Sequence, residues 1–166
     1  MQVNEAIRTK RAVRLFTDQP VPDEILLQIL DAGRRSQSSK NTQPWQFVVV
    51  RAPATLQALA GTGDYAGHLA GAAFGVALVG ATDSGWNMFD LGQASAYLQL
   101  AAWELGIGSC IAAIFDTNKA KTLLGIPAEM SFTCALSFGY PSPNNVTARM
   151  GGRKPIDQVV RWEKWE

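Results

Sequence analysis

Apolar positions along the chain recur with two different periods. Ile25, Leu26, Ile29 and Leu30 return at helical spacing and predict a helix with one buried face. Pro20-Val21-Pro22-Asp23-Glu24 opens it, with proline near the first turn and two acids at the positive end of the dipole. Residues 3–11 predict a shorter helix with Val3, Ala6 and Ile7 on one face, and residues 53–60 another. Between them, residues 47–50, 74–79, 108–115 and 132–138 are short apolar runs that predict strands. The first, apolar on both faces, is expected in the sheet interior, covered by helices. The longest helical pattern runs over 87–105, with Asn87 to cap it and Gly106 to end it. Leu91, Ala94, Leu98, Ala101, Ala102 and Leu105 line one side, while Ala96, Leu100 and Trp103 make much of another side apolar. A helix apolar nearly all round is buried from both sides. Its second cover is either another copy of the chain or more of its own subunit. Asp116-Thr117 caps a last helix over 118–124, before Gly125. No repeat, low-complexity segment or linker divides the pattern, so residues 1–166 form one mixed α and β domain.

The stretch Ser38-Ser39-Lys40-Asn41-Thr42-Gln43-Pro44-Trp45 stands out against this background. Hydroxyls, amides and one cation feed directly into the 47–50 strand, which would hold them on a rigid edge where a planar polar ligand can be gripped. Taken by itself, the same stretch also fits an ordinary helix-to-strand turn. Gly61-Thr62-Gly63-Asp64-Tyr65-Ala66 spells GxGxxA, but a helical pattern precedes it where a dinucleotide fingerprint needs a strand. It is set aside.

Composition sharpens the picture in two ways. The chain is 47% hydrophobic and only 17% charged, which leaves few charges to cover apolar surface and points to a partner subunit. A net charge of +1 argues against a general nucleic-acid binder. Yet Lys10, Arg11 and Arg14 cluster near the start and Arg149, Arg153 and Lys154 near the end, so the two clusters could converge on one anion. No run reaches the roughly 18 apolar residues of a membrane span. The start lacks the basic and apolar regions of a signal peptide, so no membrane association and a cytoplasmic location are expected. Cys110 and Cys134 read as buried thiols rather than a disulfide or metal pair. The one histidine, His68, reads as structural, and no metal-ligand spacing, GxSxG or Walker A motif is present. A chain poor in catalytic side chains, with anion clamps and an amide-rich loop, points to a cofactor that carries the chemistry.

Four segments in order resemble the nitroreductase family of FMN-dependent oxidoreductases, over nearly the whole chain. Lys10-Arg11-Ala12-Val13-Arg14-Leu15-Phe16 is similar to the family's N-terminal basic motif. The Ser38 stretch is similar to its Ser-rich loop ending in Asn-x-Gln-Pro-Trp, the most specific of the four. Leu105-Gly106-Ile107-Gly108-Ser109-Cys110 with Phe115-Asp116 resembles the strand after the long helix. Gly139-Tyr140-Pro141, with residues 153–160, resembles the closing segment.

The resemblance implies an α+β fold, a three-layer α-β-α sandwich around a central mixed sheet, in an intertwined homodimer with flavin sites at the subunit interface. Residues 141–166 are expected to extend over the partner. Lys10, Arg11 and Arg14, with Arg153 and Lys154, would hold the FMN phosphate, Ala12 contributing by its backbone. Ser38, Ser39, Asn41 and Gln43 of the other subunit would meet the ribityl chain and the ring edge. Backbone groups near Ala113 and Ile114 would face the reactive ring nitrogen. NAD(P)H would be the electron donor and a nitroaromatic or quinone the acceptor, in a ping-pong mechanism with no catalytic side chain. Other flavin redox reactions on this scaffold, or flavin binding without turnover, are the alternatives. Ala12 and Gln37 depart from the family's frequent serine and proline, and the chain has no room for long insertions over the flavin face. An open pocket follows.

Overall fold

The computed structural model describes residues 1–81, 84–146 and 152–165. Five helices, α1 (Val3–Thr9), α2 (Asp23–Arg34), α3 (Pro53–Ala60), α4 (Gly85–Glu104) and α5 (Thr117–Leu124), surround strands β1 (Trp45–Val50), β2 (Phe74–Gly80), β3 (Gly108–Ala113) and β4 (Ser131–Gly139). The strands lie in the order β1-β2-β4-β3, and each neighbouring pair is antiparallel. Among the described residues the sheet is mixed through one parallel bridge, Ala12 to Ser109, at the outer edge of β3.

Alternation along the strands builds the three layers. Phe74, Val76 and Leu78 of β2 and Leu136 and Phe138 of β4 point to one face, where they pack with Leu26 and Ile29 of α2 and Leu91, Ala94, Leu98 and Ala102 of α4. Phe74 and Phe138 stack with ring centroids 4.8 Å apart. Ala77, Val79 and Ala135 point the other way, against Leu59 and Ala60 of α3, Leu69, and Ala120 of α5. The strand expected in the interior, β1, lies at an edge, pairing among the described residues with β2 alone. Its apolar run is explained by cover on both faces, since Phe47 and Val49 pack into the first cluster and Val48 into the second. Face burial says nothing about which hydrogen-bonding edge is open.

Helices α4 and α1 also differ from expectation. Helix α4 begins at Gly85, and its cap is Ser84, whose Oγ accepts from the Asn87 amide at 3.3 Å. Its end agrees with the sequence: Gly106 has φ +76, a conformation that suits glycine. On α1 only Ala6 is buried, and Val3 and Ile7 stay exposed. Asp116 caps α5 through a 3.0 Å bond from the Lys119 amide, and Gly125 ends that helix at φ +65. Asp116→Ala should therefore cost about 1 kcal/mol. The melting temperature should fall by roughly 2–4 °C in a thermal unfolding scan. Among the described residues, no helix is long and apolar enough to cross a membrane.

Candidate functional site

The N-terminal basic segment runs along the outer edge of β3. Val13 donates its amide to the Ser109 carbonyl at 3.0 Å, and its side chain fills the space where Gly108 lacks a Cβ. Lys10 and Arg14 are thereby fixed on either side of this anchor. The half-buried Lys10 ammonium donates to Gln99 Oε1 on α4, and Gln99 is in turn held by bonds from its Nε2 to the Ser95 carbonyl and hydroxyl, each 3.2 Å. Burial pushes the Lys10 pKa below its usual value, with a smaller opposing pull from Cys110. Arg14 and Leu15 both donate backbone amides to Asn145 Oδ1, at 3.0 and 3.2 Å. Burial raises the Cys110 thiol, and the Arg14 and Lys10 cations work against that rise. Arg11 points elsewhere, its guanidinium donating to the Arg8 and Lys10 carbonyls at 2.7 and 2.8 Å. The half-buried Ala12 offers only backbone.

The Ser38 stretch forms a 3-10 turn over Ser39–Asn41, and Lys40 and Asn41 within it and Gln43 just after it have positive φ, at 51, 55 and 48°. For side chains with a Cβ this is a costly conformation, and such strain gathers at ligand sites. Side chains hold it in place. Ser38 Oγ accepts from the Gln43 amide at 2.9 Å, and Asp90 Oδ2 of α4 accepts from the Ser39 amide at 3.0 Å. Asp90 is itself buried, 2% exposed. The loop thus presents Ser39, Lys40, Asn41 and Gln43 to solvent from a rigid base.

A third feature is a groove of about 330 Å³ between α4 and the uncovered end of the sheet, lined by Leu78, Met88, Leu91, Ser95, Gln99 and Ile111 among others. Ile111 and Ala113 project from β3 on the α4 side and remain exposed. Ile114, by contrast, is buried in the opposite cluster, so only its backbone can face a ligand. At 3.6 residues per turn, Asp90 and Gln99 point from opposite sides of α4, roughly 13 Å apart along its axis. The groove and Lys10 lie on the Gln99 side; the Ser38 loop lies on the Asp90 side. Within one chain, therefore, the two predicted half-sites are not brought together. Arg153 and Lys154 are exposed, and among the described residues no bond joins them to Lys10, Arg11 or Arg14. Arg149 lies outside the described residues.

Sequence reasoning missed Asp90, Gln99 and Asn145, the residues that hold the predicted ones. The available signal was polarity inside the apolar 87–105 helix, where Asp90, Ser95 and Gln99 prove buried. His68 is half-buried with Nδ1 2.7 Å from Ser137 Oγ. Burial chiefly, and Arg14 in addition, lower its pKa from the usual 6.5. The folded state then binds this proton more weakly than the unfolded chain does. Stability supplied by neutral His68 is complete above pH 6.5 and declines as pH falls toward the lowered folded value. Urea midpoints measured from pH 7.5 downward should show that decline, and His68→Gln should flatten it.

Among the described residues, no cluster of His, Cys, Asp and Glu could hold a metal ion. The family model described as the Nitroreductase family matches residues 7–62 and 63–140. A Methanothermobacter thermautotrophicus protein provisionally named NADH dehydrogenase/NAD(P)H nitroreductase is 30% identical over 99% of this chain and 88% of its own. A Thermus thermophilus protein named NADH dehydrogenase is 28% identical, covering 98% of this chain and 96% of that one. A Desulfovibrio desulfuricans structure provisionally named a nitroreductase, in complex with FMN, superposes with TM-score 0.84 and 29% identity over 100% of this chain and 99% of that one.

Proposed function

The chain belongs to the nitroreductase family, and on that footing we propose that it is an FMN-dependent oxidoreductase using NAD(P)H and an electron-poor acceptor such as a nitroaromatic or quinone. The observations that carry this reading are a strained polar loop on one side of α4 and, on its other side, an apolar groove ended by a half-buried cation. The residues fit FMN: the groove is of the size that small-molecule sites have, its walls are largely apolar, and the Lys10 ammonium reaches its Gln99 wall. The FMN in the Desulfovibrio structure supports the same cofactor here.

When bound, FMN would supply hydride acceptance from NAD(P)H and hydride delivery to the acceptor in two alternating half-reactions. The protein's part is to bind and orient. Lys10 and Arg14 take the phosphate, each charge-assisted bond contributing about 1.5–3 kcal/mol. Arg153 and Lys154 are exposed cations available to join them. Arg11 does so only if it leaves the two carbonyls it now serves. Backbone groups at Ala12, Ala113 and Ile114 and the hydroxyl and amide groups of Ser38, Ser39, Asn41 and Gln43 complete the set. Ser38 Oγ already accepts within its own loop and keeps its hydrogen to donate.

Because the two groups of residues face opposite sides of α4, the reading includes a homodimer in which one subunit's loop meets the other's groove. Exposed Trp86, Phe89 and Tyr97 on α4 and Trp162 and Trp165 in the C-terminal segment give that dimer apolar surface to bury. The test is the visible spectrum of the purified protein with FMN, before and after NADH or NADPH without oxygen. Oxidised-flavin bands that bleach are expected; a protein that takes up no FMN would overturn the reading.

A further inference from the structure

Asp90 has no place in the binding set above, yet its surroundings are unusual. It is 2% exposed in the second turn of a largely apolar helix, and among the described residues no cation pairs with it. A buried carboxyl group without a cation is costly unless its oxygens accept hydrogen bonds. Here Oδ2 accepts from the Ser39 amide at 3.0 Å and Oδ1 from Gln93 Nε2 at 3.4 Å. The Ser39 amide opens the segment that includes three positive φ angles. Left to local preferences, such a segment relaxes to ordinary backbone.

From this geometry we propose that Asp90 is a positioning residue: it clamps the Ser38–Gln43 loop in its strained shape and so prepares it for its ligand. The proposal rests on the flavin reading for the ligand's identity, but the clamp itself does not. The division of labour is physical. Ser38 Oγ ties the two ends of the loop to each other, closing it on itself. Asp90 ties the closed loop to α4, and through Leu91 and Leu98 that helix is packed into the core under β2 and β4. Preorganisation of this kind appears as ligand affinity, because an unclamped loop must be ordered at binding. It also predicts the effect of each replacement. Asparagine keeps an oxygen that can accept from the Ser39 amide; alanine does not.

The experiment compares the wild-type chain with Asp90→Ala, Asp90→Asn and Ser38→Ala. Hydrogen exchange of the amides over residues 38–43 is measured without ligand, and FMN affinity by quenching of flavin fluorescence. Asp90→Ala should speed exchange in the loop at least about tenfold, leave β2 and β4 protected, and weaken FMN binding about 10- to 100-fold. Asp90→Asn should restore both to within about threefold. The double variant Asp90→Ala, Ser38→Ala should lose less affinity than the two single losses multiplied, because both bonds shape one loop. Loop exchange unchanged in Asp90→Ala, or Asn behaving like Ala, would overturn the clamp. If Asp90→Ala loosens the sheet as well as the loop, Asp90 supports the fold at large and the proposal fails. A wild-type chain that quenches no FMN while its loop responds as described would leave the clamp standing and defeat the flavin reading instead.

Discussion

Replacing Lys10 and Arg14 together with alanine is expected to weaken FMN binding by a factor of about 10² to 10⁴. On the proposed assignment each cation would offer the phosphate a charge-assisted hydrogen bond of about 1.5–3 kcal/mol, and 1.4 kcal/mol is a tenfold change in affinity. The two side chains are held differently, which makes the single variants informative. Lys10 is half-buried and anchored on Gln99, so its loss removes both a charge and the partner of a buried amide. Arg14 is exposed, with its backbone fixed by Asn145. Arg11→Ala should cost much less than either, because that guanidinium already serves the carbonyls of Arg8 and Lys10. Fluorescence titration with FMN at two ionic strengths checks the four variants beside the wild type. Wild-type affinity should fall as salt rises, and the double variant should respond less. A double variant that binds FMN as the wild type does would remove the phosphate from this edge of β3.

Gly63→Ala should be among the most damaging small substitutions in the chain. A Cβ at that position would lie 2.2 Å from the Ala113 carbonyl oxygen and 3.3 Å from its carbon. The obstacle is backbone at the end of β3, with no flexible side chain to swing away. The neighbouring Thr62 carbonyl accepts from the Phe115 and Asp116 amides at 3.0 and 2.9 Å, so the two segments cannot simply separate. Overpacking of this kind costs about 1–3 kcal/mol or more. For a chain of this length the melting temperature should drop by roughly 5–10 °C. The surviving folded protein should also bind FMN less well, since the displaced carbonyl belongs to the segment assigned to the ring. Gly61→Ala serves as the control. Its Cβ would meet only the Ala58 carbonyl oxygen at 3.4 Å, an ordinary contact. Equal melting temperatures for the two variants would show that β3 yields at Ala113, against a close approach that cannot relax.

The GxGxxA stretch thus needs its second glycine for a reason unrelated to nucleotides. Sequence context was enough to reject the fingerprint, because a helical pattern precedes it, but only the fold reveals the carbonyl that fills the space. The same division runs through the chain. Helices α2, α3 and α5 and strands β2 and β4 are legible in the sequence, since periodicity and capping act over a few residues and are written in neighbours. The Ser38 loop and the Lys10–Arg14 segment are legible as unusual chemistry on an apolar background, and as motifs in order.

Sheet order is not legible, because an apolar run such as 47–50 reports covered faces and carries no information about its open edge. The supports of the site are hidden for a related reason. Asp90 reaches Ser39 across 51 residues, Lys10 reaches Gln99 across 89, and Asn145 reaches Arg14 across 131. Such pairs leave no spacing to read; each partner looks locally like a stray polar residue. The sequence by itself determined which elements form and which residues carry unusual chemistry. Tertiary structure alone decided that the two predicted half-sites face opposite sides of α4, because only packing against the sheet fixes which way that helix turns its sides.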